Sequence, residues 1–127
     1  MTWMAVAAGG ALGSVARHAV NALVARVAGS PSPLSTAIVN IVGCAIIGVL
    51  AGLIAGHVVR MTPALRAFVF VGVLGGFTTF SSFGLDTLTL AHEGRTTAAI
   101  INVTIQVVAG IGAVFVGYSA ALGMFRA

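Results

Sequence analysis

Between Pro63 and His92 lies an apolar stretch long enough to cross a bilayer, and its centre reads Gly75-Gly76-Phe77-Thr78-Thr79-Phe80-Ser81-Ser82-Phe83-Gly84. Adjacent glycines weaken a helix, and the Thr and Ser hydroxyls compete with it for backbone hydrogen bonds. In lipid an unsatisfied backbone group is costly, so irregular backbone is stable at membrane depth only where protein buries it or where it lines a wet cavity. The run therefore predicts a membrane helix broken near its centre, at a place that binds or passes something polar.

The rest of the chain supports a membrane setting. Of its 127 residues, 59% are hydrophobic and only 6% charged, against roughly 25% charged in a soluble domain. Such a chain cannot cover a water-facing surface. We expect an all-α integral membrane protein, with residues 1–127 forming a single four-helix transmembrane domain. A span needs about 20 apolar residues. Four fit, at about Trp3–Val27, Leu34–His57, Pro63–His92 and Thr96–Gly123. Ser30-Pro31-Ser32-Pro33 breaks the chain after the first span. Thr62 is placed to cap the third, with Pro63 at its first position, and Gly94 to close it. The N-terminus lacks the basic region of a cleaved signal, so the first span is read as retained.

All six basic residues are arginine, scattered at 17, 26, 60, 66, 95 and 126. A nucleic-acid surface needs a cluster, which is absent. With four spans, Arg60, Arg66 and Arg126 share one side of the membrane, while Arg26 and Arg95, joined by Arg17 if it snorkels, share the other. Orientation follows the excess of basic residues on one side. So balanced a count predicts insertion in both orientations and an antiparallel dimer; a topology fixed by other features is the alternative.

Several polar residues have both a functional and a packing reading. Phe80 and Phe83 lie on one helical face directly after the break. Aromatic rings have a positive edge that contacts anions weakly, although a Phe pair also serves simple packing. Unpaired carbonyls from Gly75 to Thr79, if two copies meet there on a two-fold axis, can enclose a small hard cation; the alternative is a simple kink with back-bonded Thr hydroxyls. Asn40 offers two donors to an anion or to a neighbouring helix, and the same alternatives hold for Thr36, Ser81, Ser82, Asn102 and Gln106. Asn102, Gln106 and Gly110 share a face, as do Gly48, Gly52 and Gly56, whose small-residue spacing lets helices approach closely. Arg17 attracts anions at a mouth or anchors the helix; Asp86 is placed to pair with an arginine. His18, His57 and His92 sit near span ends without metal-ligand spacing, and Cys44 reads as a small buried hydrophobe. No catalytic motif occurs, and we expect no enzyme.

Over essentially its whole length the chain resembles the Fluc (CrcB) family of fluoride-specific ion channels. The likeness rests on Gly9-Gly10-Ala11-Leu12-Gly13 with Arg17, on Thr36 to Asn40 followed by Gly43, and most specifically on the run from Gly75 to Phe83. The resemblance implies passive export of fluoride from the cytoplasm across the bacterial plasma membrane. It implies an antiparallel dual-topology dimer with two pores, a homodimer here, though some members pair two related chains. It also implies a structural sodium ion at the dimer centre, held by the main-chain carbonyls of Gly75 and Thr78, and no organic cofactor. By the same resemblance, Asn40, Thr79, Phe80, Ser82 and Phe83 belong to the fluoride pore, and Arg17 to the vestibule. Members often carry Tyr and Ser where Asn102 and Gln106 stand, and Ser35 replaces a usual glycine. The donors of Asn40 and of the hydroxyls suit a tightly hydrated anion, whose exit requires binding to stay weak.

Two other readings compete. A small dual-topology multidrug transporter needs a carboxylate in its first helix, where this chain has no Asp or Glu and its ionised groups are Arg17 and, near the end, Arg26. A non-transporting membrane anchor subunit explains glycine stripes but gives no reason for the Thr-Thr-Phe-Ser-Ser-Phe run.

Overall fold

The computed structural model describes residues 2–30 and 32–125. Pro31 and Arg126, used above in the first break and in the charge count, lie outside the described residues. The described residues are helical, without strands: α1 (Thr2–Ala28), α2 (Pro33–Ala55), α3 (Pro63–Arg66), a π-helical stretch (Ala67–Leu74), α4 (Gly75–Phe77), α5 (Phe80–His92) and α6 (Thr96–Met124). The third long segment thus runs from Pro63 to His92 in pieces, interrupted at Thr78–Thr79.

The ends follow local chemistry. Ser32 caps α2 with its hydroxyl on the Leu34 N–H, and Thr62 caps α3 on the Leu65 N–H, with proline next in both cases. Proline's missing N–H costs nothing at that position. Gly94, at φ +74°, takes the left-handed conformation that turns the chain from α5 into α6.

Three segments are long and apolar enough to cross a membrane: Pro33–Ala55, Pro63–His92 and Thr96–Met124. The protein is therefore a multi-pass membrane protein. α1, with 27 residues, has the length, at about 1.5 Å rise per residue. It falls short in apolar content because Arg17, His18, Asn21 and Arg26 interrupt it.

Glycines decide the packing. On α1, Gly9 lies against the Phe68 carbonyl and Gly72, and Gly13 against the Val73 carbonyl. On α2, Gly48 lies against the Val114 backbone and Gly52 against that of Tyr118, while Gly117 of α6 faces the Ala45 carbonyl. Contact positions rise together along both members of each pair, so α1 runs parallel to the first half of the third segment, and α2 runs parallel to α6. α5 and α6 run antiparallel, since Thr87 meets Asn102 while Thr79 lies with Asn40 and Gln106. Consecutive long segments therefore alternate in direction. Between the two parallel pairs lies a groove floored by the break.

A methyl group at Gly13 or Gly48 would meet backbone atoms that cannot step aside. Gly13→Ala and Gly48→Ala are each expected to destabilise the protein by about 1–3 kcal/mol. Gly123→Ala, with open space around it, should change stability by no more than about 0.5 kcal/mol. Thermal unfolding in detergent checks the contrast.

Candidate functional site

The break is an ordered piece of extended chain. Thr78 has φ −81° and ψ 160°, and Thr79 has φ −155° and ψ 112°. The Thr78 N–H and hydroxyl both donate to the Leu74 carbonyl, at 3.0 and 2.9 Å. The Thr78 hydroxyl is thus back-bonded, as in the simple-kink alternative, and the chain is extended beyond it.

Beyond Thr78 the helical ladder has no partner for the peptide groups, and Asn40 of α2 supplies one. Its Oδ1 accepts the Thr79 N–H at 2.8 Å, and its Nδ2 donates to the Thr79 carbonyl at 3.1 Å. The side-chain amide pairs with the extended residue as a neighbouring strand would. The second Nδ2 hydrogen goes to Gln106 Oε1 at 2.7 Å. Both donors of Asn40 are thus engaged within the chain, in the interhelical arrangement foreseen as the alternative to an anion contact. Thr79 is buried, and its Oγ1 caps α5 by accepting the Ser82 N–H at 3.2 Å and donating to Ser82 Oγ at 3.0 Å. Ser81 Oγ lies 3.2 Å from the same hydroxyl.

These side-chain bonds release particular carbonyls. In an uninterrupted helix the Thr79 N–H would serve the Gly75 carbonyl and the Ser82 N–H would serve that of Thr78. Asn40 and the Thr79 hydroxyl take those two donors instead. Gly75 and Thr78 are the residues to which the resemblance assigns a cation, and released carbonyl oxygens fit a small hard ion.

The groove beside the break has a volume of about 360 Å³ and brings together Asn40, Gly75, Thr78, Thr79, Phe80 and Phe83. The rings of Phe80 and Phe83 lie 5.4 Å apart between centroids, tilted by 54°. Phe83 is half-buried, whereas Phe80 is 83% exposed, although Thr79 beside it is 8% exposed. Ser82 opens instead into a second cavity of about 470 Å³, shared with Asn21, Thr36, Asp86, Glu93 and Arg95. Arg17, half-buried on α1, lines neither cavity. The expected pairing of Asp86 with an arginine is not formed among the described residues. Its Oδ2 is buried without a partner, and Arg95, across that cavity, is bound by Glu93 at 3.3 Å.

α6 contributes more than the sequence showed. Gln106 Nε2 donates to Asn102 Oδ1 at 2.9 Å, Asn102 Nδ2 to Thr87 Oγ1 at 2.9 Å, and Thr87 Oγ1 to the Phe83 carbonyl at 2.8 Å. The shared face of Asn102 and Gln106 was visible in their one-turn spacing. Thr87 was not singled out, and nothing in its spacing marked it. The π-helical stretch was also missed, because its sequence, AFVFVGVL, is uniformly apolar.

A family model described as CrcB-like protein, Camphor Resistance (CrcB), matches residues 4–118. A protein of Rhodospirillum centenum named fluoride-specific ion channel FluC is 47% identical over 114 residues, covering 90% of each chain. One of the same name from Paracoccus denitrificans is 46% identical over 125 residues, covering 98% of this chain and 97% of the relative. Another, from Opitutus terrae, is 46% identical over 123 residues, covering 96% and 93%.

Asn40→Leu keeps the side-chain size and strands the Thr79 N–H, the Thr79 carbonyl and Gln106 Oε1. We expect a loss of at least about 2 kcal/mol, given the cost of buried groups left unpaired. Thr79→Val removes the cap of α5 and should cost about 1 kcal/mol. Thermal unfolding of both variants measures these losses; an Asn40→Leu variant as stable as the parent would refute the pairing.

Proposed function

This chain belongs to the CrcB-like family, and on that premise we propose that it is a fluoride-selective channel, letting fluoride leave the cytoplasm passively across a bacterial plasma membrane. The observation that carries the proposal is the state of Phe80: 83% exposed, next to a break whose Thr79 peptide is paired by Asn40, and in line with Phe83. Many apolar side chains are bare on a membrane-facing chain, but Phe80 also lines the groove beside the break together with Phe83. Ring edges suit fluoride because they attract it without holding it, as conduction requires. Asn40 and Thr79 line the same groove and hold its polar wall in place, with their own donors spent within the chain, while Ser82 lines the second cavity.

The functional unit in this reading is an antiparallel homodimer with two pores. A second copy faces the exposed Phe80 and closes the groove, which is open on one side in the single chain. The near-balance of arginines at the two ends favours insertion in both directions. α1 completes a set of four crossings: it runs parallel to the third segment with glycines in contact along it, so a neighbouring helix covers its small residues. Arg17, near its middle, attracts anions toward a vestibule.

A central sodium ion fits the donor set. The Gly75 and Thr78 carbonyls lose their helical donors to side chains, and sodium is small and hard enough for such ligands. A bound cation there raises the potential around the pores, in favour of an anion.

Efflux from liposomes containing only this purified chain tests the proposal. Fast release of fluoride with negligible release of chloride is expected. Phe80→Ile and Phe83→Ile should each slow fluoride release by about tenfold or more, equivalent to about 1.4 kcal/mol. Equal release of both anions, or none from a monodisperse protein, would overturn a fluoride-selective homodimer. Protein purified without sodium should also lose activity and regain it when sodium, but not potassium, is restored.

A further inference from the structure

We infer that Gln106 and Asn102 are positioning residues, which tie α6 to the backbone on both sides of the Phe80–Phe83 pair and so set the aim of its rings. The inference rests on the channel reading and adds to it the residues that hold the aromatic pair.

The bonds run head to tail. Asn40 Nδ2 donates to Gln106 Oε1 at 2.7 Å, Gln106 Nε2 to Asn102 Oδ1 at 2.9 Å, Asn102 Nδ2 to Thr87 Oγ1 at 2.9 Å, and Thr87 Oγ1 to the Phe83 carbonyl at 2.8 Å. Each amide has one orientation that serves both neighbours. Turning Gln106 over would set its NH2 against that of Asn40 and its carbonyl against that of Asn102. Aligned bonds of this kind strengthen one another in a low-dielectric interior. Asn102 and Gln106 are each 8% exposed, so water is poorly placed to replace a missing link.

The chain of bonds begins and ends at significant places. Through Asn40 it starts at Thr79, the residue before Phe80. It finishes on the carbonyl of Phe83. Phe80, at 83% exposure, has little packing of its own to hold its ring. Its direction must come from the backbone before it and from Phe83 beside it. α6 fixes both, through Gln106, which also lines the groove beside the rings, and Asn102, which does not, and the two act on the backbone through Asn40 and Thr87. Simple interhelical adhesion would affect stability alone; a positioning strap also affects transport rate and anion discrimination.

The test uses Gln106→Leu, Gln106→Met, Asn102→Leu and the double variant that combines Gln106→Leu with Asn102→Leu, all in the full chain. Fluoride and chloride efflux from liposomes is measured, together with hydrogen exchange of the peptide from Thr78 to Phe83. Each single variant is expected to slow fluoride efflux by about tenfold and to lower the fluoride-to-chloride ratio. The double variant should lose no more than the worse single one, since links of one strap are not additive. Exchange at Thr79 should quicken in both Gln106 variants. Parent-like flux and selectivity in Gln106→Leu and Gln106→Met, or losses that multiply in the double variant, would overturn the inference. A parent protein that passes no fluoride would contradict the channel reading alone. Exchange then decides the strap: faster exchange at Thr79 supports it, and unchanged exchange refutes it.

Discussion

The paired hydrogen bonds between the Asn40 side chain and the Thr79 peptide are the interaction on which the rest depends. A membrane helix can open only if another group accepts and donates where its ladder stops. Asn40 does both with one planar amide, at 2.8 and 3.1 Å. Its position fixes where the chain reverts to helix, hence where Thr79 caps α5 and where Phe80 and Phe83 stand. It also decides which carbonyls are released, since the N–H it captures would otherwise serve Gly75.

That interaction needs helices held close and in register, which the glycines provide. α1 meets the third segment and α2 meets α6 through backbone contacts at Gly9, Gly13, Gly48 and Gly117. Without a hydrophobic force between helices in lipid, such close approach is a main source of association. The two parallel pairs leave a groove between them, and the amides of α2 and α6 reach across its floor. The polar groups at the break are almost all satisfied within the chain, whereas the aromatic surface beside them is bare.

Much of this was legible in the sequence because it depends on local chemistry. Thr62-Pro63 and Gly94 mark ends by capping and by backbone conformation, and both mark them in the structure. Gly75-Gly76 followed by hydroxyls located the break to within a few residues, since the structure opens at Thr78–Thr79. The face shared by Asn102, Gln106 and Gly110 appeared in their spacing and is buried. Less visible were features fixed by tertiary contact. Nothing local tells whether the donors of Asn40 point to a ligand or to the residue that needs them. The π-helical stretch is a matter of backbone register in a uniformly apolar run. Asp86 lacks the arginine expected for it, while Arg95 across the same cavity is bound by Glu93, two residues away in sequence. The first segment looked like a span by length, yet its arginines and His18 leave it less apolar than the other three.

The most direct measurement is the reversal potential of currents through a planar bilayer holding only this protein, with fluoride and chloride gradients opposed. A passive fluoride channel gives currents that reverse close to the equilibrium potential of fluoride, carried without any coupled ion. Reversal near the chloride potential would contradict selectivity, and a reversal that moved with a proton gradient would contradict passive conduction.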